Sequence, residues 1–172
     1  LLILKGLAVG GMVVAVWALP GLAQVLILFK PKTPREKYKI KRNIQRLKRQ
    51  GLLEIYEKDG EEILSITKKG RGYLQKHDFD TITITRPPKW DRKWRIVIFD
   101  VPEKKRGVRD KLRLKLKELG FYNFQHSTYV LPFECRREIE YIRSYLGIRE
   151  GIKYLCATEI DDEQKLRKYF KI

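Results

Sequence analysis

One carboxylate, Asp100, stands where a run typical of a buried strand gives way to a run crowded with lysine and arginine. The stretch reads IVIFDVPEKKRGVR over residues 96–109. An aspartate at the end of a strand is either a ligand for a metal such as Mg²⁺ or an acid that stabilises the start of the following helix. A third alternative is an ion pair with Arg109. The first alternative predicts metal-dependent hydrolysis, and the other two predict a structural acid.

Other catalytic groups are scarce. The only cysteines and histidines are Cys135, Cys156, His77 and His126, and their spacing fits neither a zinc site nor a nucleophilic catalytic site. We expect both cysteines to be small buried side chains. A single carboxylate holds Mg²⁺ weakly, so a catalytic site needs the Asp100 of a second protomer. Binding is therefore expected to require no cofactor, and Mg²⁺ belongs only to a nuclease alternative.

The composition indicates a folded protein with a polyanionic partner. The 172 residues carry a formal charge of +17, and 43% of them are hydrophobic, which suffices for a core. Residues 30–50 hold ten lysines and arginines against one acid, so more than half of the net charge lies in one short segment. Because clustered charge on a folded domain most often meets nucleic acid, we favour that partner over charge kept only for solubility.

The charged segment has helical periodicity from Pro34 onward. Ile40, Ile44 and Leu47 recur at i, i+4 and i+7 and predict one apolar stripe, and Gly51 ends the helix. The opposite side projects side chains suited to phosphates and base edges, since arginine binds guanine and glutamine binds adenine. These predicted DNA-binding residues are Tyr38, Lys39, Arg42, Gln45, Arg46 and Arg49.

A β-hairpin is predicted directly after this helix. Residues 52–70 read LLEIYEKDGEEILSITKKG, with a tight turn at Asp59-Gly60 and a strand returning over residues 63–67. Thr67 is placed to cap a short helix. That helix carries three further candidate DNA contacts, Lys68, Lys69 and Arg71. A basic helix followed by a hairpin is typical of a winged helix-turn-helix, with the helix in the major groove and the hairpin on the backbone.

The apolar start of the chain has two interpretations. Residues 6–29 contain no charged side chain and are long enough to span a membrane, since about 20 apolar residues suffice. The break at Pro20-Gly21 instead favours two core helices, over residues 1–19 and 21–29. We therefore expect a cytoplasmic protein. The alternative is a chain anchored in the membrane by residues 6–29 and facing the cytoplasm.

A proline-containing segment separates two predicted domains. Residues 80–85 read DTITIT and predict a short exposed strand, and Arg86-Pro87-Pro88 then interrupts regular structure. The predicted domains are a winged-helix domain at residues 1–85, a linker at 86–92 and a second domain at 93–172. By count, both domains carry excess positive charge.

The second domain has the element order βαββαβ. Apolar patterns predict a strand at 94–99, a helix at 103–119, extended structure kinked near Gln125 at 121–132, a helix at 136–146 and a strand at 152–157. The predicted fold class is α+β, a winged helix-turn-helix followed by a ferredoxin-like domain with both helices on one side of an antiparallel sheet. The first strand is apolar on both faces, so the open face needs a cover. We predict a symmetric homodimer through Trp94, Ile96 and Ile98.

Four short stretches resemble the small CRISPR-associated adaptation endonuclease family. They are Phe99-Asp100, the Arg109 helix, Leu119-Gly120-Phe121 and the QHSTYV run at residues 125–130. The resemblance implies a ferredoxin-like dimer with an aspartate, here Asp100, at the end of its first strand. The FDVPE stretch at residues 99–103 and the Gly-Phe spacing resemble the PaaX-like repressor family more closely, over about residues 35–172. In that family a winged helix precedes a domain of the same nuclease-like fold.

Together these patterns predict a dimeric DNA-binding transcriptional regulator of the PaaX-like type, with half-sites spaced by the dimer. One alternative is a Mg²⁺-dependent endonuclease in which two Asp100 residues pair across the dimer. Another is a scaffold in CRISPR adaptation that holds DNA without reading or cutting it. Because a fold does not carry a function, we expect Asp100 to be structural, anchoring the start of the helix at 103–119.

Overall fold

The computed structural model describes residues 3–5, 31–58 and 61–172. The chain packs as two compact units, unit 1 (Leu1–Asp80) and unit 2 (Thr81–Ile172). The predicted Asp59-Gly60 turn lies outside the described residues, as does almost all of the predicted N-terminal helix pair. In unit 1 the described elements are α1 (Pro34–Arg49), β1 (Leu53–Lys58), β2 (Glu61–Ile66) and α2 (Lys68–Thr81). In unit 2 they are β3 (Trp94–Phe99), a 3₁₀ turn (Glu103–Lys105), α3 (Arg106–Glu118), β4 (Tyr122–Gln125), β5 (Thr128–Leu131), α4 (Arg136–Tyr145), β6 (Ile152–Ala157) and α5 (Glu163–Phe170).

Helix α1 begins where the sequence predicts. The Thr33 hydroxyl accepts a hydrogen bond from the Glu36 amide at 3.2 Å, and Pro34 occupies the first turn, where its missing N–H is not needed. Ile44 and Leu47 are buried. The predicted apolar stripe is therefore confirmed, and it packs the helix onto the core of unit 1.

The predicted hairpin is also present. β1 and β2 pair antiparallel, with Leu53 opposite Ile66 and Ile55 opposite Leu64. Alternate residues of both strands join the apolar stripe of α1 in one core. The buried members of this core are Ile3, Leu4, Ile44, Leu47, Leu52, Leu53, Leu64, Ile66 and Leu74.

Thr67 caps α2, as predicted, and joins it to the end of α1. Its hydroxyl accepts from the Gly70 amide at 3.0 Å and donates to the Gly51 carbonyl at 2.7 Å. A Cβ on Gly70 would lie 2.2 Å from the Leu52 carbonyl oxygen, so only glycine fits at that crossing. The helix continues to Thr81, which makes it longer than predicted.

The strand predicted over residues 80–85 is wrong. Asp80 and Thr81 belong to α2, and residues 82–87 have no regular structure. The alternation of Thr and Ile suits a strand, but no strand among the described residues supplies a ladder of hydrogen bonds there.

Within the described residues, no helix is long and apolar enough to cross a membrane.

Unit 2 contains the predicted ferredoxin-like βαββαβ arrangement. Its sheet has the order β4-β5-β3-β6, and each neighbouring pair is antiparallel. Both helices lie on one face, as predicted: Arg113 of α3 lies over the Phe99 ring at 5.9 Å, and Arg136 of α4 lies over Tyr154 at 4.5 Å. Tyr154 and Phe99 share this face because Tyr154 pairs with Val97, two residues before Phe99.

The opposite face, called the outer face below, is partly covered by α5, which the sequence reading missed. Leu166 packs with Trp94 and Val130 in a buried cluster, joined by Phe170 and by Trp90 from the segment before β3. Trp94 is 0% exposed. Its own chain therefore buries it, and it has no surface left to give to a dimer partner.

Arg95 is one of two buried cations described in this unit, the other being Lys115. It donates to Asp91 at 2.6 Å, to Glu134 at 3.1 Å and to the carbonyls of Lys93 and Pro132, while its own side chain is only 4% exposed. Hydrogen bonding to Arg95 holds the pKa of Asp91 below its ordinary value. Burial pushes the pKa of Glu134 upward, but the Arg136 amide and Arg95 outweigh it and leave that pKa lowered. This cluster fastens the start of β3 to the loop before α4.

The two cysteines differ from each other. Cys135 is buried, as predicted, and burial raises the pKa of its thiol to about 12. That thiol therefore stays protonated and unreactive. Cys156 is exposed on β6, contrary to the prediction, because β6 is an edge strand of the sheet.

Candidate nucleic-acid interface

The exposed side of α1 carries the predicted DNA-binding residues. All six of them are exposed, while Ile44 and Leu47 on the opposite side are buried. The Tyr38 ring is 68% exposed. The set is Tyr38, Lys39, Arg42, Gln45, Arg46 and Arg49.

The sequence reading omitted Arg35 from this surface. Arg35 precedes Arg42 by seven residues, which is two helical turns, so it extends the same row toward the start of α1. It lines a groove of about 590 Å³ together with Thr33, Glu36, Tyr38, Lys39, Arg42 and Asn43. The sequence alone could have identified Arg35, because the helical spacing that places Arg42 and Arg49 on the exposed side also places Arg35 there. We call Arg35, Tyr38, Arg42, Arg46 and Arg49 the α1 row.

The charge of this row is uncompensated. Within the described residues, none of the cations of α1 forms an ion pair. The one acid of the helix, Glu36, accepts from the Lys32 amide at 2.8 Å and so serves the helix start. A row of guanidinium groups without partners creates a positive potential along the whole exposed side of α1.

The three cations predicted to bind DNA at the start of α2 have different surroundings. Lys68 and Arg71 are exposed at the start of α2. Lys69 instead donates to the Gln50 carbonyl at 2.8 Å, where it binds one of the free carbonyls at the end of α1. Its ammonium therefore has a structural role within unit 1.

Asp100 lies at the end of β3 with its side chain exposed. Its backbone is fixed: the Asp100 amide donates to the Gly151 carbonyl at 2.8 Å, and a Cβ on Gly151 would lie 2.6 Å from the Asp100 carbonyl oxygen. The side chain borders a groove of about 640 Å³ lined also by Lys105, Ser144, Arg149 and Glu150.

The expected anchoring of the helix start by the Asp100 side chain is wrong, and the alternative ion pair with Arg109 is absent from the described residues. The 3₁₀ turn and α3 begin, in this described part of the chain, without a side-chain cap. Arg109 pairs with Glu103 at 2.8 Å. Among the described residues, the Asp100 carboxylate has no hydrogen bond or ion pair.

A metal site at Asp100 is incomplete within one chain. Over residues 3–5, 31–58 and 61–172, no group of three or more acidic, histidine or cysteine side chains is placed to hold an ion. Glu150 borders the same groove, but so do Lys105 and Arg149, whose charges oppose a divalent cation. A Mg²⁺ site at this position therefore requires the Asp100 of a second protomer.

The residues predicted for a dimer interface have different exposures. Trp94 is buried, Ile96 is half-buried and Ile98 is 39% exposed on the outer face. Leu155, which pairs with Ile96 across the sheet, is 47% exposed beside them. The sequence reading missed Leu155, because only the register of β6 places it on the same face as Ile98.

Comparison with known proteins agrees with this architecture. The family model described as the PaaX protein central Cas2-like domain matches residues 87–168. No curated protein matches the chain. The matched residues span all four strands of the sheet and both helices packed on its inner face. Residues 87–168 are thus similar to the PaaX central Cas2-like domain.

Proposed function

We propose that the protein is a dimeric DNA-binding transcriptional regulator of the PaaX-like type. The observation that carries the proposal is the α1 row, whose four exposed arginines form no ion pair with an acid in the described residues. It is followed by a β-hairpin, and the chain continues into a domain similar to the PaaX central Cas2-like domain. Together these features support a winged helix that reads duplex DNA.

In this proposal α1 lies in the major groove. Arg42, Arg46 and Arg49 bind phosphates and guanine edges, and Gln45 is placed to bind adenine. The β1–β2 hairpin and the α2 cations Lys68 and Arg71 contact the backbone. Phosphate contacts provide most of the affinity, which makes binding steeply dependent on salt.

The second unit sets the spacing of the half-sites. Ile98 and Leu155 form an exposed apolar patch on the outer face of the sheet, at the end that α5 leaves uncovered. Burying this patch against its copy around a two-fold axis gives a symmetric dimer. A symmetric dimer then binds inverted half-sites whose separation is set by unit 2.

One observation favours a second candidate function. The Asp100 carboxylate has neither of the structural partners expected for it, and it borders a groove. Two such carboxylates paired across a dimer would supply a Mg²⁺-dependent endonuclease. The two cations in the same groove weigh against this candidate, and so we rank it second. A scaffold that holds DNA without reading or cutting it is the third.

A single experiment separates these functions. The full chain is incubated with a random duplex library at near-physiological salt, with and without Mg²⁺, and the bound and cut pools are sequenced. A regulator enriches one inverted-repeat motif and leaves the DNA intact. Cleavage that depends on Mg²⁺ would establish the endonuclease, and binding without an enriched motif would establish the scaffold.

A further inference from the structure

The outer face of unit 2 carries three aromatic rings, one exposed and two half-buried, that the proposed function does not use. We define the aromatic strip as Tyr122, Phe124 and Tyr169. Tyr122 and Phe124 project from the edge strand β4 onto the outer face, where both are half-buried against the Trp94 cluster. Tyr169 of α5 is 56% exposed, with its ring centroid 4.9 Å from that of Tyr122.

The strip packs on the buried cluster beneath it. The Tyr169 ring meets Phe170 edge to face at 4.9 Å, and Phe170 lies 6.2 Å from the fully buried Trp94. Tyr169 is therefore positioned by Phe170 on one side and Tyr122 on the other. Because the rings are already packed in place, the protein loses little conformational entropy when a ligand stacks on them.

Positive charge borders the strip. The Lys165 ammonium lies 6.0 Å from the centroid of the Tyr122 ring, and Lys168 is exposed on the next turn of α5. Residues 164–172 contain four cations and no acid. The acids at the start of α5 immediately precede this segment, and Glu163 forms an ion pair with Arg167 at 3.2 Å.

We propose that the aromatic strip binds single-stranded nucleic acid. Bases stack on Tyr169 and Tyr122, while Lys165 and Lys168 contact the phosphates. Rings bordered by cations are the recurrent arrangement for such strands, because every base offers a π-face and every linkage offers a charge. A duplex hides its base faces within its own stack, so it does not fit this surface. The proposal does not rest on duplex reading by α1.

The test measures binding of the full chain to a labelled oligothymidylate of about 20 nucleotides and to a duplex of equal length, at near-physiological salt. Tyr169→Ala should weaken oligothymidylate binding by about tenfold and leave duplex binding unchanged. Tyr169→Phe should retain native affinity, since the ring is kept. Tyr73→Ala, which removes a tyrosine of similar exposure from unit 1, is the matched control.

A second variant, Lys165→Gln, tests the charge without disturbing the core. It should weaken oligothymidylate binding and reduce its salt dependence. Native affinity in both Tyr169→Ala and Lys165→Gln would overturn the proposal, as would equal losses for single strand and duplex. A native chain with no affinity for oligothymidylate would also overturn it and would assign the strip to a protein partner.

Discussion

Helices α1 and α3 have similar densities of lysine and arginine but opposite electrostatic surroundings. In α3, Arg106 and Arg113 both lie within 4.0 Å of Asp110, and Lys115 pairs with Glu118 at 2.7 Å. In α1, by contrast, none of the cations is paired among the described residues, and Glu36 is engaged at the helix start. Acids three or four residues from a lysine or arginine pair with it, so the helix surface is close to neutral. Where such acids are absent, the cations remain available to bind a polyanion. The position of the acids thus indicates the partner better than the number of cations does.

The largest expected effect comes from removing the uncompensated charge. Replacing Arg42, Arg46 and Arg49 with alanine should weaken duplex binding by at least about a hundredfold, because three phosphate or base contacts are lost. The slope of log affinity against log salt should fall by about 3. Fluorescence anisotropy over a salt series measures both quantities.

The matched control removes the same charge from unit 2. Arg106, Arg113 and Arg143 each lie within 4.0 Å of an acid, and replacing all three with alanine should change duplex affinity little. If both triple variants lose affinity equally, net charge alone drives binding, and the contrast between α1 and α3 has no functional meaning.

The next effect concerns assembly through the outer face. Replacing Ile98 and Leu155 with glutamate should convert a dimer into a monomer, because burying two carboxylates in the interface is costly. Light scattering of the full chain measures the mass. Leu114→Glu changes a leucine that is 59% exposed on α3 and should leave the dimer intact. A native chain that is monomeric at micromolar concentration would remove dimerisation from the proposal.

The third prediction concerns Arg95, the more deeply buried of the two buried cations described in unit 2. Arg95→Met should lower the free energy of unfolding by about 2–3 kcal/mol, because the carbonyls of Lys93 and Pro132 lose their donor. Urea denaturation measures the change. Arg106→Ala, which alters a 74% exposed side chain, should cost less than about 0.5 kcal/mol.

The same cluster predicts a dependence on acid. The pKa values of Asp91 and Glu134 are lowered in the folded protein, so their stabilisation is complete above about pH 5 and is lost as the pH falls below about 4. Urea midpoints between pH 3 and pH 6 should show this loss in the native protein and a smaller one in Arg95→Met. Equal slopes in the two proteins would mean that Arg95 does not hold the two carboxylates.

A smaller effect is expected where α2 passes the segment between α1 and β1. Gly70→Ala should destabilise unit 1 by about 1–3 kcal/mol, because the new Cβ meets the Leu52 carbonyl. Gly72→Ala, two residues farther along the same helix, meets nothing within 4 Å and should be neutral or stabilising by up to about 1 kcal/mol. Thermal unfolding followed by circular dichroism compares them. Similar melting temperatures for the two variants would contradict the close approach.

The smallest expected effect is that of Asp100→Asn. The carboxylate has no side-chain partner in the described chain, so stability should change by less than about 0.5 kcal/mol. Neither the native protein nor the variant should cleave plasmid or short duplex in Mg²⁺ or Mn²⁺. Cleavage that follows the metal and vanishes in the variant would establish the endonuclease instead.

Much of the fold was predictable from local patterns. The stripe of Ile40, Ile44 and Leu47 predicts α1, and the cap at Thr33 and the turn at Gly51 define its ends. In unit 2 the order of the strands and helices was also predictable. Three features failed: the strand at 80–85, the helix α5 and the burial of Cys156. Each depends on a neighbour that is distant in sequence, since a strand needs a partner and a short helix needs a surface to pack on.

The candidate site also combines features that the sequence determines with features that depend on tertiary contacts. Its α1 row follows from a helical period of 3.6 residues and the types of the side chains, so the sequence alone determined it. Tertiary structure decided which groups remain available: Lys69 is bound to a carbonyl, Trp94 lies under α5, and Arg109 pairs with Glu103. Local periodicity places a side chain on a face of its own element. Whether that face meets solvent, a neighbouring helix or an opposite charge depends on contacts between segments far apart in the chain.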